Sequence, residues 1–200
     1  MQNETSISLG RYYLSFKSLS GALAGLVGAL PLVPKQIAGS ASEYAFPPLG
    51  DIEVPARIGM MALAVAVTYA AYFSRGVSAK ARARGIAGFV AASALFLVFY
   101  LGLNYRFVRR IDVPSRNTSV LVSVGYERTE FANTTFGSAT DEEILRQRGP
   151  EDEQIRKLWA FGSVLTARLV LFGSYCGFVL ALISAVSVGI VSQLEEGKPV

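Results

Sequence analysis

The sequence predicts a mainly α-helical, polytopic membrane protein with four transmembrane helices and a small soluble α+β module inserted between the third and the fourth. Three observations lead to this prediction. Four apolar stretches without any charged residue are long enough to cross a bilayer. Of the 200 residues, 52% are hydrophobic and only 17% are charged. The charged and polar residues are concentrated between the last two stretches, whereas a soluble bundle would show amphipathic helices with a charged face.

The predicted spans share a charge-free apolar composition and cover residues 18–34, 58–74, 85–105 and 169–194. Stretches of this kind are typical of transmembrane helices. Pro31 and Pro34 mark the end of the first span, because proline interrupts helical hydrogen bonding. Proton-coupled pumps and many ion-coupled transporters need ionisable groups within the membrane. The absence of Asp, Glu, Lys and Arg from all four stretches therefore argues against those classes.

A basic segment, "SRGVSAKARARG", separates the second span from the third. It has no acidic residue, and its bases are Arg75, Lys80, Arg82 and Arg84. We interpret it as a short cytoplasmic turn of the positive-inside kind, next to anionic lipid headgroups. A nucleic-acid site is not favoured, because no aromatic residue lies among these charges to stack on bases.

A cytoplasmic position for this turn places both termini in the cytoplasm and residues 106–168 outside, in the cytoplasmic membrane of a bacterium. The positive-inside rule discounts long loops, and the bases outside 106–168 then favour this orientation. The predicted division is 1–105 for the amino-terminal segment and three spans, 106–168 for the module, and 169–200 for the fourth span and tail.

The first half of the module reads as a β-strand. In "NTSVLVSVGYERTEF" the residues Val120, Val122 and Val124 fall on one face of an extended chain, which is the period-two pattern of a strand. A lone strand is not stable. It must therefore pair with residues 106–113 or with a second copy of the protein.

The second half of the module reads as helical. Thr140 followed by Glu143 matches a capping box, and Gly149 with Pro150 ends that helix. A second helix begins with Pro150 at its first position, followed by acids. It either runs on toward the fourth span or is interrupted at 160–163, where Ser163 would cap a new helix.

The polar set around the strand end is the candidate binding site. Tyr126, Glu127, Arg128 and Glu130 could bind a small anion or a protein partner. The alternative is a solvated strand face with cross-strand ion pairs.

No residue pattern supports catalysis. Histidine is absent, the single cysteine, Cys176, lies in the fourth span, and the acid clusters fall at helix starts where capping explains them. We therefore expect a protein that is not an enzyme, with no cofactor and no metal site.

Small residues recur at four-residue intervals in two spans, a pattern that lets helix backbones approach closely. The two rows are Gly21, Gly25 and Ala29, and Gly173, Gly177 and Ala181. They would pack either within one bundle or between the subunits of a homo-oligomer.

Two functional classes follow from this layout. The first is a sensor or effector whose module binds a ligand or protein and acts on an oligomeric helix bundle, including the opening of a pore. The second is a scaffold or accessory subunit that only docks a partner; a facilitative channel or transporter subunit is a third option. The layout resembles small bacterial four-span membrane proteins with one soluble module, including effectors of antiphage systems, without a shared motif.

Overall fold

The structure is a computed structural model that describes residues 46–72, 77–113 and 118–196. After a 3-10 helix at Gly50–Ile52, its elements in chain order are α1 (Glu53–Tyr72), α2 (Ala79–Phe107), β1 (Val108–Val113), β2 (Thr118–Ser123), α3 (Glu130–Phe136), α4 (Asp141–Arg148), α5 (Asp152–Leu158) and α6 (Phe161–Glu196). The predicted first span, 18–34, lies outside the described residues.

Three described helical segments are long and apolar enough to cross a membrane, Gly50–Ala70, Ala79–Phe107 and Phe161–Gly189. The outer face of α2 is apolar, with Leu95, Val98 and Phe99 exposed by 71%, 69% and 53%. A row of large exposed apolar side chains is unfavourable in water but suits lipid. The protein is therefore an integral membrane protein, and the predictions of the second and third spans agree with α1 and α2.

The fourth predicted span lies within α6, but α6 starts earlier than predicted. It begins at Phe161, so Arg168 lies in its second turn instead of preceding it. Helix α6 packs against both α1 and α2. In the apolar part of α6, 39% of the residues are buried, whereas in that of α2 the share is 11%. Helix α6 is therefore the central helix of the described bundle.

Two buried clusters form the core. The membrane-side cluster consists of residues from α1, α2, β1, α6 and the segment before α1: Phe46, Leu49, Met60, Ala64, Tyr100, Val108, Leu171, Tyr175, Val179 and Ile183. The module cluster consists of Ile111, Val122, Val124, Ala132, Ile144, Leu145, Ile155, Leu158, Trp159 and Val164. Tyr175 is at the centre of the first cluster, with its ring 5.4 Å from those of Phe46 and Tyr100.

A two-stranded antiparallel sheet separates the two clusters. β1 pairs with β2 in the register Val108↔Ser123 to Val113↔Thr118, which confirms the predicted pairing of the strand with residues 106–113. Side chains alternate across a strand. Leu121 accordingly packs against the membrane-side cluster, while Val122 belongs to the module cluster.

The capping box of α4 is confirmed. Thr140 N donates to Glu143 Oε2 (2.8 Å), Glu143 N donates to Thr140 Oγ1 (3.3 Å), and the helix ends at Gly149 with φ at 97°. The positive φ explains why glycine stands there. The predicted start of the next helix at Pro150 was wrong by two residues, because Glu151 is the cap and α5 begins at Asp152.

The predicted interruption near 160–163 is present, but Ser163 does not cap α6. α5 ends at Leu158, and Trp159 and Ala160 separate it from α6. Ser163 lies in the first turn of α6, where its hydroxyl donates to Ala160 O (2.8 Å) and Glu127 O (3.2 Å). Both hydrogen bonds hold the short link in place.

Candidate functional site

An ion pair between a buried arginine and a half-buried aspartate joins the module to the membrane-spanning helix α6. The Arg168 guanidinium, with a side chain only 7% exposed, donates from Nη2 to Asp152 Oδ1 (2.5 Å) and from Nη1 to Asp152 Oδ2 (3.3 Å). Its Nε donates to Ser123 Oγ (2.9 Å). This two-pronged geometry is among the strongest that protein side chains form. It ties α5 and β2 to the second turn of α6.

The same carboxylate also contacts the segment that leads into α1. Asp51 N donates to Asp152 Oδ2 (3.0 Å), and Arg156 Nη2 of α5 donates back to Asp51 Oδ2 (2.6 Å). We call Asp51, Ser123, Asp152, Arg156 and Arg168 the junction cluster. It is formed by four parts of the chain: the 3-10 helix before α1, the sheet, α5 and α6.

Gly50 is what allows the chain to approach this pair. Its φ is +61°, and a Cβ placed there would lie 2.2 Å from Asp152 Oδ2 and 2.7 Å from Arg168 Nη1. Only glycine adopts this backbone conformation without strain. The residue thus meets both a conformational and a steric requirement of the junction cluster.

We expect Gly50→Ala to lower the free energy of unfolding by about 1 to 2 kcal/mol, because alanine is strained at this φ and displaces the carboxylate. The fluorescence of Trp159, the single tryptophan and a buried residue of the module, follows unfolding. Gly59→Ala in α1 is the matched control, because a Cβ there meets nothing within 4 Å. Equal stability of the two variants would contradict the proposed role of Gly50.

The pKa of Asp152 is held below its ordinary value. Burial alone would raise it, but the hydrogen bonds and charge of Arg168, together with the Asp51 N–H, outweigh burial. The carboxylate therefore stays ionised at neutral pH, as a salt-bridge partner requires.

Because of this lowered pKa, the stability of the module depends on pH in the acidic range. A carboxyl whose pKa is lower in the folded state contributes stability above its unfolded pKa of about 4, and that contribution is lost as the pH falls through the folded pKa. We expect the Trp159 unfolding midpoint to fall as the pH is lowered below about 4. The slope of this midpoint against pH should be smaller in Asp152→Asn. Glu143 and Glu153, whose pKa values are also lowered, supply the pH dependence that remains. An unchanged slope would exclude Asp152 as a contributor.

The predicted binding residues do not converge on one site. Arg128 is tied into the module: its Nη2 donates to Asp141 Oδ1 (2.7 Å) and Ala139 O (2.9 Å). Tyr126 is 58% exposed, and Glu127 and Glu130 are exposed as well. The adjacent cavity of about 90 Å³ has room for roughly three water molecules. These contacts support a structural role for Arg128, whereas the other three residues form open surface.

The ion pairs described near the strand end are not the predicted cross-strand pairs, because both join to a helix. Asp141, at the start of α4, accepts from Arg128 and also from Arg109 Nη2 of β1 (3.4 Å). The prediction of strand-face pairing missed Asp141 because the sequence explains this residue equally well as part of a helix start.

The basic segment is helical from Ala79 onward. α2 begins at Ala79 with Ser78 as its cap, so Lys80, Arg82 and Arg84 lie in its first two turns, and Arg75 lies outside the described residues. Lys80 and Arg84 are exposed, but Arg82 is only 8% exposed. Because Arg82 is buried, it does not face lipid as the other predicted bases of this segment would.

The row of small residues in α6 is divided between two environments. A Cβ on Gly177 would lie 2.7 Å from the ring of Phe96, so this glycine lets α2 and α6 approach each other. Gly173 is exposed, with nothing within 4 Å of such a Cβ, and Ala181 is half-buried. The other predicted row, Gly21, Gly25 and Ala29, lies outside the described residues.

Sequence reasoning missed the junction cluster. The predicted fourth span begins just after Arg168, and Asp152 is one of the acids that the predicted helix start after Pro150 explains. One available signal was the helix-compatible stretch "FGSVLTA" before Arg168, which places that arginine inside a helix at the edge of an apolar segment. Such a residue needs a counter-ion.

The chain matches no protein-family model, no curated protein and no solved structure. Within the described ranges, no group of three or more His, Cys, Asp or Glu side chains is placed to hold a metal ion. The junction cluster is therefore the feature of the described residues that bears most directly on function.

Proposed function

We propose that this protein is a non-enzymatic membrane sensor or effector, in which binding of a ligand or partner protein to the module acts on the helix bundle through the junction cluster. The observation that carries the proposal is the Asp152–Arg168 pair, in which the arginine is buried and which joins α5 of the module to the central membrane-spanning helix. A module that served only to dock a partner would not need such a contact.

Three further contacts support transmission between the two parts. The link between α5 and α6 is two residues long, and Ala160 N donates to Glu127 O (3.0 Å). Trp159 in the link is only 1% exposed. The sheet contacts both buried clusters, through Leu121 on one face and Val122 on the other. A displacement of α5 would therefore move α6 or break the ion pair.

The ion pair also gives the coupling a two-state character. Removing the carboxylate from Arg168 would leave a buried charge without its partner, which costs several kcal/mol. Intermediate positions of α5 are therefore disfavoured compared with a fully formed or fully broken contact. Energetic coupling between distant sites requires an element with two discrete arrangements.

The single tryptophan and the single cysteine test this proposal without a known ligand. Trp159 reports on the module, and Cys176, about 12 Å along α6 from Arg168, reports on the bundle. In reconstituted full-length protein we expect Asp152→Asn to change the rate at which a membrane-permeant maleimide labels Cys176 by several-fold. Glu153→Gln, which removes the neighbouring exposed partner of Lys157, is the control and should leave that rate unchanged.

An unchanged Cys176 labelling rate in Asp152→Asn would contradict transmission, provided that hydrogen exchange shows that α5 has loosened. The protein would then act as a scaffold or accessory subunit whose helices only anchor the module. The same reconstituted samples should show a homo-oligomer by cross-linking, and release of a trapped dye would identify the bundle as a pore.

We further propose that the module lies outside the cytoplasmic membrane of a bacterium, with the basic segment and both termini inside. Ser78 and Ser138 are exposed; Ser78 caps the start of α2, and Ser138 lies in the module between α3 and α4. In a Cys176→Ser background, an impermeant maleimide added to intact cells should label a cysteine at Ser138 and not one at Ser78. Labelling at Ser78 alone would reverse the orientation.

A further inference from the structure

A cleft of about 710 Å³ opens where α2 ends and the sheet begins, outside the junction cluster. One part of its wall is apolar and includes Leu101 of α2 and Leu121 of β2. The other part contains three arginines, Arg106, Arg109 and Arg110, and Glu142 is the one acid among the described residues that line it. The cleft thus combines an apolar part with an excess of positive charge.

The cleft lies at the level where the membrane ends. The charge-free stretch of α2 finishes at Tyr105, which is 89% exposed, and Leu101 is 47% exposed. Exposed tyrosines at helix ends are typical of the membrane–water interface. Leu101 precedes Arg106 by five residues, or about 8 Å along the helix axis. The cleft therefore extends from the hydrocarbon edge into the headgroup layer.

Contacts within the protein orient Arg109. Arg109 Nη1 donates to Tyr105 O and to Val108 O, both at 3.1 Å, and its Nη2 lies 3.4 Å from Asp141 Oδ2. Asp141 offsets part of the charge of Arg109. Arg106 and Arg110 are exposed at the cleft. Guanidinium groups bind phosphate oxygens in a two-pronged arrangement, which suits them to phosphate recognition.

We propose that this cleft binds an anionic phospholipid, with the lipid phosphate between Arg106 and Arg110 and an acyl chain along Leu101. The apolar part of the wall gives no advantage to a soluble anion, and a lipid without net charge would not complement a cleft lined by three arginines and one acid. This site goes beyond the proposed function and does not depend on transmission through the junction cluster.

The test measures binding of fluorescent phosphatidylglycerol and phosphatidylcholine to the full-length protein in neutral detergent. Each basic residue near an anionic surface contributes roughly a factor of five, so Arg106→Gln with Arg110→Gln should weaken phosphatidylglycerol binding roughly thirtyfold. Arg146→Gln with Lys157→Gln is the matched control, because it removes two exposed basic charges of the module that do not line the cleft. The control should bind phosphatidylglycerol as the unaltered protein does, and Trp159 fluorescence verifies folding in both.

Three results would overturn the proposal. Equal weakening in both double variants would show general attraction between charges instead of a site. Equal binding of phosphatidylcholine and phosphatidylglycerol by the unaltered protein would remove the role of the arginines. Displacement of the lipid by inorganic phosphate at the same concentration would assign the cleft to a soluble anion.

Discussion

Asp152→Ala is expected to lower the free energy of unfolding of the module by about 3 kcal/mol, the largest single effect at the junction cluster. The substitution leaves the Arg168 guanidinium, 7% exposed, without its carboxylate, and it also removes the acceptor of the Asp51 N–H. The value is at the lower end of the range for a broken buried pair because the Asp152 side chain is 21% exposed. Denaturant titration in micelles, followed by Trp159 fluorescence, measures it.

A double-mutant cycle separates the pair from other effects of the substitution. Asp152→Asn combined with Arg168→Gln should be less destabilising than the sum of the two single changes, because the double variant contains no unpaired buried charge. Glu153→Gln is the control within α5, since its partner Lys157 is 55% exposed and surface pairs contribute little. Additivity of the two single changes would show that the contact is not energetically coupled.

Gly177→Val is expected to destabilise the helix bundle by about 2 to 3 kcal/mol through overpacking. The first added carbon would already lie 2.7 Å from the Phe96 ring, so either this ring or the two helices would have to shift. Small residues at helix contacts in membranes provide close packing, and this contact depends on it. Thermal unfolding, followed by the reaction of Cys176 with a thiol-reactive dye, measures the loss of bundle stability. Adding Phe96→Ala to the same chain should restore part of that stability.

Gly173→Val distinguishes the two kinds of packing that the sequence left open. A side chain at Gly173 meets nothing within 4 Å, so the bundle should keep its stability. If this glycine packs between subunits, the variant should instead form smaller assemblies in cross-linking. A loss of bundle stability equal to that of Gly177→Val would contradict the packing described for α6.

The elements of this fold could be predicted where their cause is local. Charge-free apolar stretches predicted α1, α2 and most of α6, because a bilayer selects composition and length over some twenty consecutive residues. The alternation of valines predicted β2, and the Thr140–Glu143 capping box and Gly149 predicted the bounds of α4. Each of these signals is complete within a few neighbouring residues.

Boundaries were less accurate where a charge lies inside a helix. Arg168 was taken to flank the fourth span because a membrane helix excludes an unpaired charge. The structure satisfies that charge with Asp152 and so allows α6 to begin at Phe161. The start of α6 therefore depends on Asp152, which lies sixteen residues before Arg168 in the chain.

The sequence by itself determined that this chain is a membrane protein with a small mixed module, since those properties follow from hydrophobicity and local periodicity. Only the tertiary structure decided which charges meet. It joined Asp51 to Arg156 across 105 residues, enclosed Arg128 within the module and placed Arg106 and Arg110 around one cleft. Ion pairs and clefts depend on distances between segments, and those distances are set by how helices and sheet pack together.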